Sequence, residues 1–111
     1  YPQRIKNDFP RFNFMDYPSL TFEQPDREVF LNLNLAFEAL EKKGNTACVL
    51  NAANEVSVQA FLNDKIGFLD IAKINQACMD KIPFIQKPSY EDYVQTDIET
   101  RILARELEAT F

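Results

Sequence analysis

The sequence predicts an all-α fold, a four-helix bundle-like domain that follows an extended, aromatic-rich N-terminal arm. Apolar residues recur at helical spacing in several segments. Hydrophobic residues make up 46% of the 111 residues, and the chain has only 2 glycines. Because loops and tight turns normally use glycine, so low a count favours a compact, mostly helical protein. We therefore expect an arm over residues 1–24 and one helical domain over residues 25–111.

The arm is predicted because proline and large apolar residues alternate there without a sustained helical period. Pro2, Pro10 and Pro18 interrupt any regular element. A solvated stretch of so many rings would be an aggregation hazard, so the arm should pack across another surface, either the helices or a neighbour. The large apolar side chains are Phe9, Phe12, Phe14, Met15, Tyr17, Leu20 and Phe22.

The first helix is predicted to run from Pro25 to about Lys43. Proline suits the first helical turn, and Gly44 can supply a left-handed cap after the last turn. Leu31 and Leu35 lie outside the expected core stripe and form either ordinary surface or a second contact patch. The expected core stripe consists of Val29, Leu33, Ala36, Phe37 and Leu40.

The second helix, over about residues 46–63, is apolar on two sides and should lie in the middle of the bundle. Asn54 projects into the second side, where an unpaired amide would be costly, so we expect a hydrogen bond to the backbone of a neighbouring loop. A structural role and direct ligand binding both remain possible for Asn54. The first side consists of Val49, Ala52, Ala53, Val56 and Ala60, and the second of Leu50, Val58 and Phe61.

Two further helices follow. Asp70 is expected to cap the third, which carries Ile71, Ile74, Cys78 and Ile82 at helical spacing until Pro83 ends it.

The fourth helix is predicted to open with a capping box formed by Ser89 and Asp92 and to reach about Ala109. A break near Thr96-Asp97 is expected. Asp97 and Arg101 are spaced for an exposed ion pair.

Charge and cysteine content restrict the partners and the compartment. With 12 basic and 17 acidic residues, the net charge of −5 disfavours nucleic acid. No apolar run approaches the roughly 18–20 residues that span a bilayer, and no signal peptide opens the chain. Cys48 and Cys78 lie among apolar neighbours as expected for free thiols, which suits a soluble protein of the reducing cytoplasm. Because the first residue is Tyr1, we expect a processed product or part of a longer protein.

The residue types exclude most catalytic and cofactor chemistry. The chain has no histidine, and its 2 glycines cannot form a dinucleotide fingerprint or a phosphate-binding loop. Glu55, near Asn51 and Asn54, is the best candidate for a buried acid or metal ligand, although such a carboxylate is usually solvated or paired. Residues 63–65 resemble a calcium loop only briefly, because Lys65 occupies a position that requires oxygen. We therefore assign no catalytic, cofactor-binding or metal-binding residue.

Several motifs resemble one known family. They are Tyr1-Pro2-Gln3-Arg4, residues 20–26, residues 49–55 with their Asn-Ala-Ala-Asn-Glu run, residues 60–62 with residues 67–71, and, more weakly, residues 89–97. In order and spacing they resemble the C-terminal part of the 1-deoxy-D-xylulose 5-phosphate reductoisomerases. The family often has proline near Leu31 and Ala47, so the starts of two helices can differ here.

The resemblance implies a parent enzyme of the non-mevalonate isoprenoid pathway. Such an enzyme converts 1-deoxy-D-xylulose 5-phosphate to 2-C-methyl-D-erythritol 4-phosphate with NADPH and Mg²⁺ or Mn²⁺. The NADPH-binding and catalytic domains of the same chain would be the partners of this helical domain, and the parent would be a homodimer. The resemblance transfers no catalytic residue onto these 111 residues, so we expect them to be inactive alone.

Two other classes of function remain open. One is an autonomous helical module that binds another protein through its apolar arm. The other is a small enzyme built around Glu55.

Overall fold

The computed structural model describes residues 3–110, which form four helices and contain no strand. The helices are α1 (Leu31–Lys42), α2 (Thr46–Leu62), α3 (Phe68–Lys81) and α4 (Tyr90–Glu108). The predicted all-α class and the helix number are confirmed. Tyr1, Pro2 and Phe111 lie outside the described residues, and with them the first two positions of the arm and of the first motif.

Helix α2 is the central element, as predicted. It packs against α1, α3 and α4, and the first apolar side is completely buried. Leu50, Val58 and Phe61 of the second side are partly buried against the same core. A helix with neighbours on so much of its circumference must be apolar on more than one side, which is the pattern that the sequence shows.

Because α1 begins at Leu31, the segment before the helices, still called the arm below, runs to residue 30, and residues 3–30 are all exposed. Phe12 packs edge-on against Phe14, with 4.9 Å between ring centroids, and stacks on Tyr17 at 5.1 Å. Near the end of the arm, the Arg27 guanidinium lies 3.8 Å above the centre of the Phe37 ring of α1. The packing of the arm on a larger surface stays a prediction.

The predicted start of the first helix at Pro25 is wrong. Asp26 does begin a turn, because its Oδ1 accepts the backbone N–H groups of Glu28 at 2.9 Å and Val29 at 3.1 Å. Phe30 then leaves helical geometry with φ −95° and ψ 68°. Helix α1 therefore begins at Leu31. Pro25 and Asp26, which predicted an earlier start, belong to an isolated turn.

The predicted core face of α1 is also wrong. Leu35 and Ala39 are buried with 2% and 3% exposure, whereas Leu40 of the expected stripe is 70% exposed. Both faces of α1 are apolar, so periodicity could not choose between them.

The beginnings of α3 and α4 differ in how well they were predicted. Gly67, rather than Asp70, is the N-cap of α3, and the Asp70 carboxylate in the first turn accepts the Gly67 N–H at 3.0 Å. The capping box of α4 is confirmed, with Ser89 N donating to Asp92 Oδ2 at 2.8 Å and Asp92 N to Ser89 Oγ at 3.2 Å. The predicted break near Thr96 is wrong, since α4 is continuous.

Within residues 3–110, no helix combines the length and the apolar character that a membrane span requires.

Candidate functional site

A cluster of amides centred on the buried Asn75 joins three helices and contains the partly buried Asn54 side chain. Asn75 of α3 is completely buried, and its Nδ2 donates to Asn54 Oδ1 at 3.1 Å and to Asn32 Oδ1 at 3.0 Å. Ser57 Oγ, equally buried, donates to Asn75 Oδ1 at 3.0 Å. Each strong group of Asn75 therefore has a partner, as a buried amide requires.

The predicted partner of Asn54 is wrong, although the predicted hydrogen bond exists. The partner is the Asn75 side chain rather than loop backbone. Asn75 follows Ile74 on the apolar side of α3, and this position is the sequence signal that could have predicted its burial. Its burial shows that these amides hold helices together.

A second buried amide, Asn45, was missed by sequence reasoning. It precedes α2, and its Oδ1 accepts the Ile85 N–H at 2.9 Å while its Nδ2 donates to Pro83 O at 2.9 Å. The same Nδ2 lies 3.2 Å from Thr96 Oγ1 of α4. Asparagine after Gly44 looked like ordinary turn composition, so no local signal distinguished it.

Glu55 is an exposed, paired carboxylate rather than a buried acid. Arg101 Nη2 donates to Glu55 Oε2 at 2.8 Å, and Asn51 Nδ2 donates to Glu55 Oε1 at 3.1 Å. These hydrogen bonds, that from Arg101 first, hold the pKa of Glu55 below its usual value. The predicted pair of Asp97 and Arg101 is confirmed at 2.8 Å. Glu55, Arg101 and Asp97 thus form a surface ion-pair network between α2 and α4.

The residues present do not fit a catalytic metal. Among residues 3–110, no three His, Cys, Asp or Glu side chains come together in a possible metal site. Two neighbouring carboxylates, Glu55 and Asp97, already share the Arg101 guanidinium. A divalent cation would have to displace that guanidinium and would still need further oxygen ligands.

The groove between the first two helices does not fit the phosphates of a nicotinamide cofactor. The groove between α1 and α2 has a volume of about 510 Å³, and none of its lining residues is charged. Phosphate groups are normally held by cationic side chains or by glycine-rich backbone, and this groove has neither. The lining residues are Asn32, Ala36, Ala39, Leu40, Ala47, Leu50, Asn51 and Asn54.

Neither cysteine has the properties of a nucleophile. Both thiols are free. Burial raises the pKa of Cys78 to about 11, and burial followed by the charge of Asp97 raises that of Cys48. A raised pKa leaves less thiolate near neutral pH, and the thiolate is the nucleophilic form.

The fold and its polar clusters define a small helical domain whose polar side chains bind one another. A family model described as the DXP reductoisomerase C-terminal domain matches residues 1–103. The chain is 51% identical over 107 residues to the 1-deoxy-D-xylulose 5-phosphate reductoisomerase of Phocaeicola vulgatus, covering 96% of this chain and 28% of that protein. Identity to the enzyme of the same name from Bacteroides fragilis is 50% over 107 residues, with the same coverage.

A solved structure agrees with these sequence matches. It is that of 1-deoxy-D-xylulose 5-phosphate reductoisomerase from Zymomonas mobilis in complex with NADPH, with a TM-score of 0.78 and 41% identity over 97% of this chain and 29% of that chain. The chain belongs to the DXP reductoisomerase C-terminal domain family. It spans 28% of the length of the curated relatives named above.

Proposed function

We propose that this chain is the helical C-terminal part of a 1-deoxy-D-xylulose 5-phosphate reductoisomerase and that it acts as a scaffold for the catalytic part. The complete enzyme would convert 1-deoxy-D-xylulose 5-phosphate to 2-C-methyl-D-erythritol 4-phosphate, using NADPH and Mg²⁺ or Mn²⁺. The observation that carries the proposal is the 51% identity to a curated reductoisomerase across 96% of the chain.

The chemistry of the described side chains supports a scaffold. The strongest carboxylate candidate, Glu55, is exposed and bound by Arg101, and its lowered pKa makes it a poor proton donor near neutral pH. The buried Asn75 amide forms hydrogen bonds with side chains of two other helices. Such networks, when fully paired, favour one rigid arrangement of the helices. We therefore propose that no residue of this chain touches the substrate, the cofactor or the metal.

The organisation of the parent follows from the same proposal. Residues 1–24 would form the linking arm from the end of the catalytic domain, and residues 25–111 the helical domain. The NADPH-binding and catalytic domains would be the partners in the same chain, and the parent would be a cytoplasmic homodimer without a nucleic acid or membrane partner. The net charge of −5 on these 111 residues disfavours a nucleic acid partner for this part of the parent.

The test is an assay of NADPH oxidation with 1-deoxy-D-xylulose 5-phosphate and Mg²⁺. We expect turnover by the full-length parent and none by the 111 residues alone. Turnover by the isolated chain would overturn the scaffold role, and an inactive, folded parent would overturn the assigned reaction. Light scattering on the parent measures whether it is a dimer.

A further inference from the structure

Five large apolar side chains, from the end of the arm and the first turns of two helices, form one exposed surface. We name Val29, Phe30, Leu31, Phe68 and Leu69 the entry patch. Leu31 is the first residue of α1 and Phe68 the first of α3. Their exposures range from 48% for Leu31 to 70% for Leu69. They line a hollow of about 260 Å³ that also lies against Asn32, and no charged side chain lines it.

The entry patch differs from the exposed apolar row on α4 because no charged side chain lines its hollow. On α4, Tyr90, Val94, Ile98 and Ile102 form an exposed row at four-residue spacing. Glu91, Gln95 and Glu99 run beside that row, so polar groups border it along its length. Scattered apolar residues are normal on a surface, whereas a contiguous apolar patch marks an interaction site.

The entry patch also has a fixed shape. Phe68 packs edge-on against the partly buried Phe61, with 5.7 Å between the ring centroids. Arg27 sits 3.8 Å from the centre of the Phe37 ring, which holds the end of the arm against α1 close to the patch. A preorganised apolar hollow loses little side-chain entropy when it is covered.

We infer that the entry patch is the surface through which this helical domain docks on the domain that precedes the arm in the same parent chain. This inference rests on the proposed function. The occupant would be an apolar surface with a large aliphatic or aromatic side chain that fills the hollow, because no charged side chain lines it. About 28% of each relative's length corresponds to this chain, so most of the parent lies outside it.

Position also favours this occupant. The arm enters the helices at residues 29–31, which belong to the patch. Whatever precedes the arm is therefore tethered to the patch through residues 1–28, and such a tether raises the effective concentration of a partner. A second copy of the chain has no such advantage.

Hydroxyl-radical footprinting of the full-length parent tests the inference. Phe30, Phe68 and Leu69, which are 58–70% exposed here, should be oxidised severalfold more slowly than this exposure predicts, whereas Tyr90 and Ile98 should react as exposed residues. Entry-patch residues that react as fast as Tyr90 would overturn the inference. Protection that disappears when a dimer is diluted to monomer would assign the patch to a second copy, which would also overturn it.

Two matched variants of the full-length parent provide a second readout. Leu69→Arg should make the arm sensitive to limited proteolysis and lower the turnover, whereas Ile98→Arg, also on an exposed helix surface, should do neither. Equal behaviour of the two variants would contradict the inference. If Phe12→Ser with Phe14→Ser exposes the patch to oxidation, the arm itself is the occupant and the inference fails. Turnover by the wild-type parent tests the proposed function separately. An active parent with an exposed patch would overturn the inference and leave the proposed function standing.

Discussion

Asn45 Oδ1 accepts the backbone N–H of Ile85 at 2.9 Å, so one amide before α2 holds the segment that connects α3 to α4. Asn45 is 1% exposed and also binds Pro83 and Thr96. The two helices of the second half are therefore positioned by a residue of the first half.

Asn45→Ala should destabilise the chain by about 1–3 kcal/mol, because Ile85 N–H and Pro83 O lose their partner in a buried place. Urea denaturation followed by circular dichroism measures the change. The matched control is Asn51→Ala, which removes an exposed amide that donates to Glu55 and should change stability by less than about 0.5 kcal/mol. Equal effects would show that the Asn45 contacts are unimportant.

Asn75→Asp should be more destabilising at pH 7 than at pH 5. The substitution puts a carboxylate oxygen in place of Asn75 Nδ2, facing the acceptors Asn54 Oδ1 and Asn32 Oδ1. A buried carboxylate beside two acceptors has a raised pKa. The folded state then binds more protons than the unfolded state, so stability is lost as the pH rises above the unfolded pKa of about 3.9. Wild type measured at both pH values is the control, and a variant whose loss is the same at both would contradict the prediction.

Leu35→Ala should cost about 2–5 kcal/mol, because it opens a cavity at a side chain with 2% exposure. Leu40→Ala on the opposite face, where Leu40 is 70% exposed, should cost less than about 0.5 kcal/mol. Thermal or urea unfolding of the pair measures which face of α1 contacts the core. A larger loss for Leu40→Ala would restore the face expected from the sequence.

Glu55→Gln should flatten the acid side of the stability profile. The pKa of Glu55 is below its ordinary 4.5 in the folded state, so the unfolded state takes up the proton first as the pH falls. The stabilisation by this carboxylate is complete above about pH 5.5 and is lost as the pH falls through the folded pKa. Urea midpoints between pH 3 and 7 measure the profile. Glu91→Gln, on the exposed surface of α4, is the control, and a profile unchanged by Glu55→Gln would contradict the role of the Arg101 pair.

Gly44→Ala should cost about 2–4 kcal/mol, because a left-handed backbone and an overpacked contact add together. Gly44 has φ +56°, and an added Cβ would collide with Ile85 O and approach the Phe84 ring at 2.7 Å. Gly67 is the matched glycine, with φ −76° and the flexible Asp70 carboxylate as its nearest neighbour. Gly67→Ala should cost less than about 1 kcal/mol, and unfolding midpoints compare the two.

Local signals predicted most of the helices. Gly44 and Pro83 mark the ends of α1 and α3, and the Ser89 and Asp92 pair marks the start of α4. These signals work because each depends on backbone geometry or hydrogen bonds within a few residues. The buried side of α2 was also predictable, since helical spacing places its small and branched apolar residues along one side of the helix.

Tertiary packing determined the features for which the local sequence fitted two structures equally well. The sequence pattern did not distinguish the two apolar faces of α1, and only the packing shows that Leu35 lies in the core. The single turn at Asp26 carries the same local signals as the start of a helix. The partners of Asn45 and Asn75 lie 18 to 51 residues away, so hydrogen-bond satisfaction across the fold, rather than any nearby pattern, selects them. Residue composition thus led to the expectation of no catalytic residue, which stays a prediction, while only the assembled helices show which polar groups bind one another and which apolar surface is left uncovered.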